Sequence, residues 1–452
     1  MLPAPDNAIV LAMDQKITLL HPRWVICVDK ENRVLEDHTV VIKGDLIADI
    51  SPRQTALQNY PETESIELPQ QALMPGLVNA HTHLAMNLLR GFADDLPLMT
   101  WLNDHIWPAE GAHVDYRFVA DGSRLAIAEL LQSGVTCFND MYFFPEAVAA
   151  VATETGIRAN VGMIVIDFPS AWAKDADEYL HKGTDLHLQL QSEPLVSTML
   201  APHAPYTVSD ATLDKVVALR DKFGVGVHMH VHETADEVTQ YLQQHGVRPI
   251  EKLEQLNLLN ENLCAVHVTQ TTEKEIELLA RRQCHVLHCP ESNLKLASGI
   301  APTAAMTEAG INIAIGTDGA ASNNDLDLLG ETRTAGFTGK VQSANAAALP
   351  ATQLLRMATI NGAKALGLDQ ITGSIEKGKQ ADLISIDFDS ICMQPVYDPA
   401  SQIVYSASRH DVTNTWVAGE RLLKDRQLTR MNTTDLISNA TEWSNRIAST
   451  TS

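Results

Sequence analysis

Gly226-Val-His-Met-His-Val-His-Glu233 alternates an apolar side chain with an imidazole along six consecutive positions. In an extended chain successive side chains take opposite faces, so Val225, Val227, Met229 and Val231 share one face and His228, His230 and His232 the other. The apolar set suits a layer of packing helices, which leaves the histidines facing the interior of a strand-lined barrel. Three imidazoles on one inward face are costly without a partner such as a metal ion, although hydrogen-bonded core histidines are the ordinary alternative. His230-x-x-Glu233 then places a carboxylate one step past the strand end. That spacing alone is a weak signal.

Outward from this stretch the chain keeps alternating. Apolar β-type runs at 76–80, 135–138, 158–166, 196–201, 226–232, 264–268, 285–288 and 312–316 are separated by helical stretches, among them 115–134, 145–156, 209–224 and 273–282. Repeated strand and helix imply parallel βαβ units, and eight of them fit a closed (β/α)8 TIM-type barrel. Short strands with turns return at both ends of the chain. They lie at 24–28, 39–43 and 46–50 before the barrel and at 381–387 and 412–417 after it. The expectation is an α/β protein with three segments: 1–73 and 371–452 building one small β-sandwich-like module from both chain ends, and 74–370 forming the barrel. A terminal helix near 435–447 reads as mostly solvated.

Composition narrows the function classes. With 45% hydrophobic and 20% charged residues the chain can bury a sizeable core. Its 33 Lys plus Arg against 56 Asp plus Glu give a formal charge of −23, which repels nucleic acids and anionic membrane surfaces. Six cysteines without CxxC spacing point to a reducing cytoplasm, and residues 1–6 lack the basic segment of a signal peptide.

In a barrel, functional side chains project from the carboxyl ends of the strands. Pro75-Gly-Leu-Val-Asn-Ala-His-Thr-His-Leu84 ends the first run with His81 and His83, spaced to share one ion. Alone, the pair is as well explained by surface histidines after a turn. His267 ends the run from Cys264, and Asp318 ends Ile313-Ala-Ile-Gly-Thr-Asp-Gly319, where a turn-forming Asp is the plain alternative. Taken together, His81, His83, His230 and Asp318 offer three nitrogens and a carboxylate oxygen. That set suits Zn²⁺ with an open position for water, and is compatible with Fe²⁺ or Mn²⁺.

This constellation resembles the amidohydrolase superfamily, in which a His-x-His after the first barrel strand joins histidines of strands five and six and an aspartate of strand eight. Ala201-Pro-His-Ala-Pro-Tyr206, His288-Cys-Pro-Glu-Ser-Asn-Leu-Lys-Leu296 and Gly316-Thr-Asp-Gly-Ala-Ala-Ser-Asn-Asn324 resemble its branch of 5'-methylthioadenosine/S-adenosylhomocysteine deaminases. Arg90-Gly-Phe-Ala-Asp-Asp-Leu-Pro-Leu-Met-Thr-Trp101 and Trp107-Pro-Ala-Glu110 resemble it too, so the likeness runs through nearly the whole chain. The resemblance implies one zinc per subunit, held by His81, His83, His230 and Asp318, because the run ending at His203 lacks the strand-four lysine of two-metal members. It makes His267 a contact of the catalytic water and substrate, Glu233 the proton shuttle, Glu110 the ribose acceptor and His203 a purine contact. Ser322 falls where the base would sit, with Glu233 and Asp318 also touching substrate. A cytoplasmic homo-oligomer, dimer or tetramer, is expected, with no nucleic acid or membrane partner.

The implied reaction is hydrolytic deamination of the adenine ring of 5'-methylthioadenosine, also of S-adenosylhomocysteine and more weakly of adenosine, to the inosine analogue and ammonia. Guanine, a pterin or an s-triazine are rival substrates within the same branch, against which Glu110 speaks, since a bare ring has no ribose to bind. A non-catalytic zinc-binding barrel is the rival from another class; a structural site would close its fourth position and have no use for Glu233. For the 5' group, Val161-Gly-Met-Ile-Val-Ile-Asp-Phe-Pro-Ser-Ala-Trp172 supplies no cation before Lys174. Ile164, Ile166, Phe168 and Trp172 suit a methylthio group, Asp167 opposes a carboxylate, and Arg158 starts its strand at the end remote from the site.

Overall fold

The computed structural model describes residues 16–449. Residues 1–6, read above for a targeting segment, and the outer ends of the first and last expected segments lie outside the described residues. Strands β1 (Ile17–Ile26), β2 (Val34–Glu36), β3 (His38–Lys43), β4 (Leu46–Pro52) and β5 (Glu64–Pro75) come first. Eight more follow: β6 (Leu77–Thr82), β7 (Val135–Asp140), β8 (Arg158–Val165), β9 (Val196–Pro202), β10 (Val227–Val231), β11 (Leu263–His267), β12 (His285–His288) and β13 (Asn312–Ile315). The chain then adds β14 (Leu383–Asp387), β15 (Val412–Val417), β16 (Glu420–Lys424) and β17 (Gln427–Leu428).

From β6 to β13 each strand pairs in parallel with the next. A parallel bridge from Thr82 to Asp318, with the Asp318 amide donating to the His81 carbonyl at 3.0 Å, joins the last strand to the first. The expected (β/α)8 barrel is therefore the observed one. Its helices start and stop on local chemistry. Asp115, Asp175, Thr234 and Thr272 each accept the amide three residues on, and Gly156, Gly224 and Gly246 end three helices in the left-handed conformation that a Cβ disfavours. Inside, Val78, Ala80, Cys137, Met199, Cys264, Val266, Leu287 and Ala314 from around the barrel meet the helix Ile360–Ala365 in one apolar cluster.

The remaining nine strands form one mixed sheet drawn from both chain ends, with β5 parallel to β1 and antiparallel to β14. Alternation along β1 separates two cores. Trp24, Ile26 and Val28 belong to the barrel's main core, whereas Val25 and Cys27 join Leu20, Val40, Ile42, Ile47, Leu73, Leu383 and Trp416 in a core of the module's own. Arg158, at the start of β8, is buried in an ion pair with Asp382 at 2.7 Å and ties the barrel's base to the sheet. The terminal helix Thr433–Ala448 is mostly exposed, as its sequence suggests, but it docks Trp443 edge-on against Phe118 at 5.2 Å. Cys27, Cys137, Cys264, Cys284 and Cys289 are buried free thiols and Cys392 is exposed. Among the described residues no helix is long and apolar enough to cross a membrane.

Candidate metal centre and active site

At the carboxyl ends of β6, β10, β11 and β13 the side chains of His81, His83, His230, His267 and Asp318 converge. His81 and His83 Nε2 lie 3.3 and 3.2 Å from Asp318 Oδ1, and His230 Nε2 lies 3.3 Å from His81 Nε2. His81, His230 and His267 also bring their ring nitrogens within 4.8 Å of one another. Each ring is fixed from behind. The other nitrogen pairs with His228 Nε2 for His81 at 2.8 Å, with the Met141 carbonyl for His83 at 2.5 Å, and with the His203 carbonyl for His230 at 2.8 Å. For His267 it accepts from Asn293 Nδ2 at 2.9 Å. Asp318 accepts at Oδ2 from the Ser292 and Ser322 hydroxyls at 2.6 and 3.0 Å. This close approach of β13 to β6 requires Gly316, where a Cβ would stand 2.8 Å from the His81 amide nitrogen.

The donor set fits a single divalent cation. Burial drives the pKa of His81 down to about 4 and that of His230 well below its usual value, so both present neutral nitrogens with free lone pairs to one another. Burial opposes charge on Asp318 as well, yet its close contacts with His81 and His83 hold it ionised well below the usual carboxylate range. Burial would lower His83 too, but Asp318 carries it up to about 9. The pocket thus calls for positive charge beside Asp318. Rings anchored at one nitrogen and aimed with the other are the arrangement that metal-ligating histidines adopt. No lysine lines the cleft above among the described residues, which favours one ion over two.

That cleft, about 960 Å³ with its open mouth, is lined by apolar and aromatic side chains around a few polar groups. Glu233 reaches it with Oε2 3.8 Å from His267 Nε2, and burial first, then the Asp318 charge, raise its pKa to about 8. His203 turns Nδ1 to Thr207 at 3.0 Å and lines the cleft with the rest of its ring. Glu110, from the helix Trp107–His113, accepts the Tyr142 hydroxyl at 2.5 Å, and burial raises its pKa to about 7. Ser322 also lines the cleft, with its hydroxyl turned to Asp318. Trp101 and Trp107 both face it from a helix that widens into a π turn at Leu102–Ile106. There the Trp107 amide bonds back to the Leu102 carbonyl, just before Pro108 removes a donor from the helix.

Three expectations are corrected. His232 does not join His228 and His230 inside the barrel: β10 ends at Val231, His232 takes φ of 54°, and its ring bonds the Gln270 carbonyl and the Ile250 amide instead. Trp172 is buried against Tyr179 with Nε1 on Glu146, away from the cleft. Asp167 spends its carboxylate on the Ser209 amide and the Thr212 hydroxyl, both at 2.8 Å, where it anchors the start of a helix rather than facing a ligand.

Residues 72–422 match the amidohydrolase family. The chain belongs to that family. A relative from Teredinibacter turnerae, named 5-methylthioadenosine/S-adenosylhomocysteine deaminase, is 48% identical over 95% of this chain and 97% of its own. The crystal structure of an adenosine deaminase from Xanthomonas campestris with bound zinc superposes with a TM-score of 0.95 at 49% identity, covering 96% of this chain and 98% of that one. An atrazine chlorohydrolase from Arthrobacter aurescens has the same fold, with a TM-score of 0.88 over 94% of this chain and 99% of its own, but only 22% identity. Within the amidohydrolase frame several supporting residues escaped sequence reasoning. Asn293, Ser292 and Tyr142 act only through tertiary neighbours. Glu237 was findable: Thr234-Ala-Asp-Glu237 has capping-box spacing, and the Glu237 carboxylate takes the amides of His232 and Glu233 at 3.1 and 2.7 Å, fixing the turn that carries Glu233.

Proposed function

We propose that this amidohydrolase is a zinc-dependent hydrolase that deaminates the adenine ring of 5'-methylthioadenosine and, less well, of adenosine and S-adenosylhomocysteine, in a reducing cytoplasm. The observation that carries this reading is Glu233. A carboxylate whose burial holds its proton near neutral pH stands 3.8 Å from His267, at the rim of the His81, His83, His230 and Asp318 cluster and the floor of a cleft of nucleoside size. A non-catalytic metal site has no use for such a group.

Zinc held by His81, His83, His230 and Asp318 would supply a Lewis acid and make water a competent nucleophile near neutral pH. The chain's own residues do the rest. Glu110 accepts the ribose hydroxyls and His203 contacts the purine, so that C6 faces the floor of the cleft. Glu233 gives its proton to N1, which relieves the ring's resistance to attack, and its carboxylate takes one back as the water oxygen bonds to C6. His267, held by Asn293, hydrogen-bonds the oxygen as charge develops there. The second water proton passes by way of Asp318 to the exocyclic nitrogen, the C6–N bond breaks, and ammonia leaves with the inosine analogue as the other product.

At the outer end of the cleft Ile164, Ile166, Phe168 and Tyr206 make an apolar wall, and no lysine or arginine lines it among the described residues. That favours a methylthio group over an amino-acid head. The test is ammonia release from methylthioadenosine by the purified protein, with loss of activity on zinc chelation and its return on readdition. Activity on guanine or a pterin but not on adenosines would overturn the assignment.

A further inference from the structure

We infer that Tyr142 is a positioning residue for ribose recognition, acting through Glu110. Its hydroxyl donates to Glu110 Oε1 at 2.5 Å within the cleft, and both residues line it. A carboxylate side chain on a helix has rotamers to choose from; a single strong donor at one oxygen selects among them and leaves the other oxygen to accept from the vicinal ribose hydroxyls.

The origin of Tyr142 makes it more than a local prop. It lies just past β7, where three consecutive residues, beginning with the last of the strand, make four hydrogen bonds to the site. The Asp140 carboxylate accepts the Thr82 hydroxyl at 3.0 Å and the Leu84 amide at 2.7 Å, bracketing the backbone of His83. The Met141 carbonyl takes the His83 ring at 2.5 Å. Tyr142 takes Glu110. The segment that aims His83 therefore also fixes the ribose acceptor, and the distance from reacting centre to sugar is set by one loop rather than by the separate helix on which Glu110 sits. The ring packs against Phe143 at 5.5 Å, so Tyr142→Phe keeps the packing and removes only the hydroxyl.

This inference rests on Glu110 as the ribose acceptor, and substrate deletion separates the two. With adenosine, Tyr142→Phe should lower kcat/KM about ten- to a hundred-fold, the range expected when a hydrogen bond to a charged group is lost. With 2',3'-dideoxyadenosine, which lacks the 2'- and 3'-hydroxyls that Glu110 would accept, the same variant should stay within about two-fold of wild type. Glu110→Gln should show the same split, and adding Tyr142→Phe to it should cause little further loss with either substrate. If Glu110→Gln fails to distinguish the two nucleosides, Glu110 is not the ribose acceptor and the inference falls with it. If Glu110→Gln distinguishes them but Tyr142→Phe slows both equally, or neither, Tyr142 has no role in reading the sugar.

Discussion

Offered together at equal concentration, 5'-methylthioadenosine and S-adenosylhomocysteine differ only beyond the sulfur, so their relative consumption reads the outer wall of the cleft. A methyl group placed against Ile164 and Ile166, which are 3% and 2% exposed, gains roughly 0.8 kcal/mol from burial. The amino-acid head of S-adenosylhomocysteine gains no such contact, and its carboxylate finds no guanidinium or ammonium among the lining residues. A fully buried charge missing its partner would be disfavoured by about 3 to 5 kcal/mol. Phe168 and Tyr206, however, are 45% and 43% exposed, so the head can stay partly hydrated at the mouth and the penalty shrinks. The difference should come to about 1.4 kcal/mol, or at least about ten-fold in kcat/KM favouring methylthioadenosine. A single-vessel competition followed by chromatography of both inosine products measures it directly. Phe168→Arg, which puts a cation at that mouth, should raise turnover of S-adenosylhomocysteine several-fold relative to methylthioadenosine. Equal consumption in the wild type, or faster loss of S-adenosylhomocysteine, would refute the apolar-wall reasoning.

His230→Ala should lose bound zinc and activity together, while Glu233→Gln should keep zinc and lose activity; metal analysis beside the rate assay checks both, and a nearly active Glu233→Gln would remove the proton shuttle. Glu110→Ala should lower kcat/KM for adenosine about ten- to a hundred-fold, with kcat falling too because the sugar positions C6; an unchanged value would take Glu110 out of the site. His285, buried between Asn312 and the Glu261 carbonyl, has its pKa lowered by burial from 6.5 to about 4. A histidine depressed in the folded state favours folding above its unfolded pKa and loses that contribution as pH falls from about 6.5 towards 4, here about 3 kcal/mol in all. His285→Gln should therefore show a flatter acid limb in urea midpoints measured from pH 7 to 4, and identical limbs would contradict the assignment.

Most of the barrel was readable because periodicity and punctuation agree along it. The run expected at 285–288 is β12 to the residue, and the helices expected at 145–156 and 209–224 end at Gly156 and Gly224 with their last helical residues one position earlier. The ligand set was readable for a related reason. A strand end is where an apolar run stops, so a histidine or aspartate at that point stands on the catalytic face whatever the helices do. What could not be read was contact between distant segments. Nothing in Met141-Tyr-Phe143 announces that its carbonyl aims His83 and its phenol meets Glu110, since the first depends on how β7 lies beside β6 and the second on where the helix Trp107–His113 docks. Trp172 and Asp167 were misassigned for the converse reason. Their types suit a ligand, and only packing reveals that one fills a core and the other anchors a helix.

The residues just past the strands mark where alternation stops being a guide. Leu263 and Ala265 point to the helices and Cys264 and Val266 to the barrel interior, so parity assigns His267 to the outside. It reaches the metal cluster because its φ is 71°, a left-handed turn at the final position of β11. His232 is the mirror case. Parity assigns it inward with His228 and His230, and φ of 54° carries it out to Gln270. Such conformations are uncommon for residues with a Cβ and cost about 1 kcal/mol or more each, so they persist where surrounding contacts hold them. At His267 the holding contact is Asn293, and at His232 it is the Ile250 amide and the Gln270 carbonyl. At both strand ends a positive φ, fixed by residues from neighbouring loops, reverses the face that alternation assigns, bringing His267 into the site and sending His232 out to brace the loops around it.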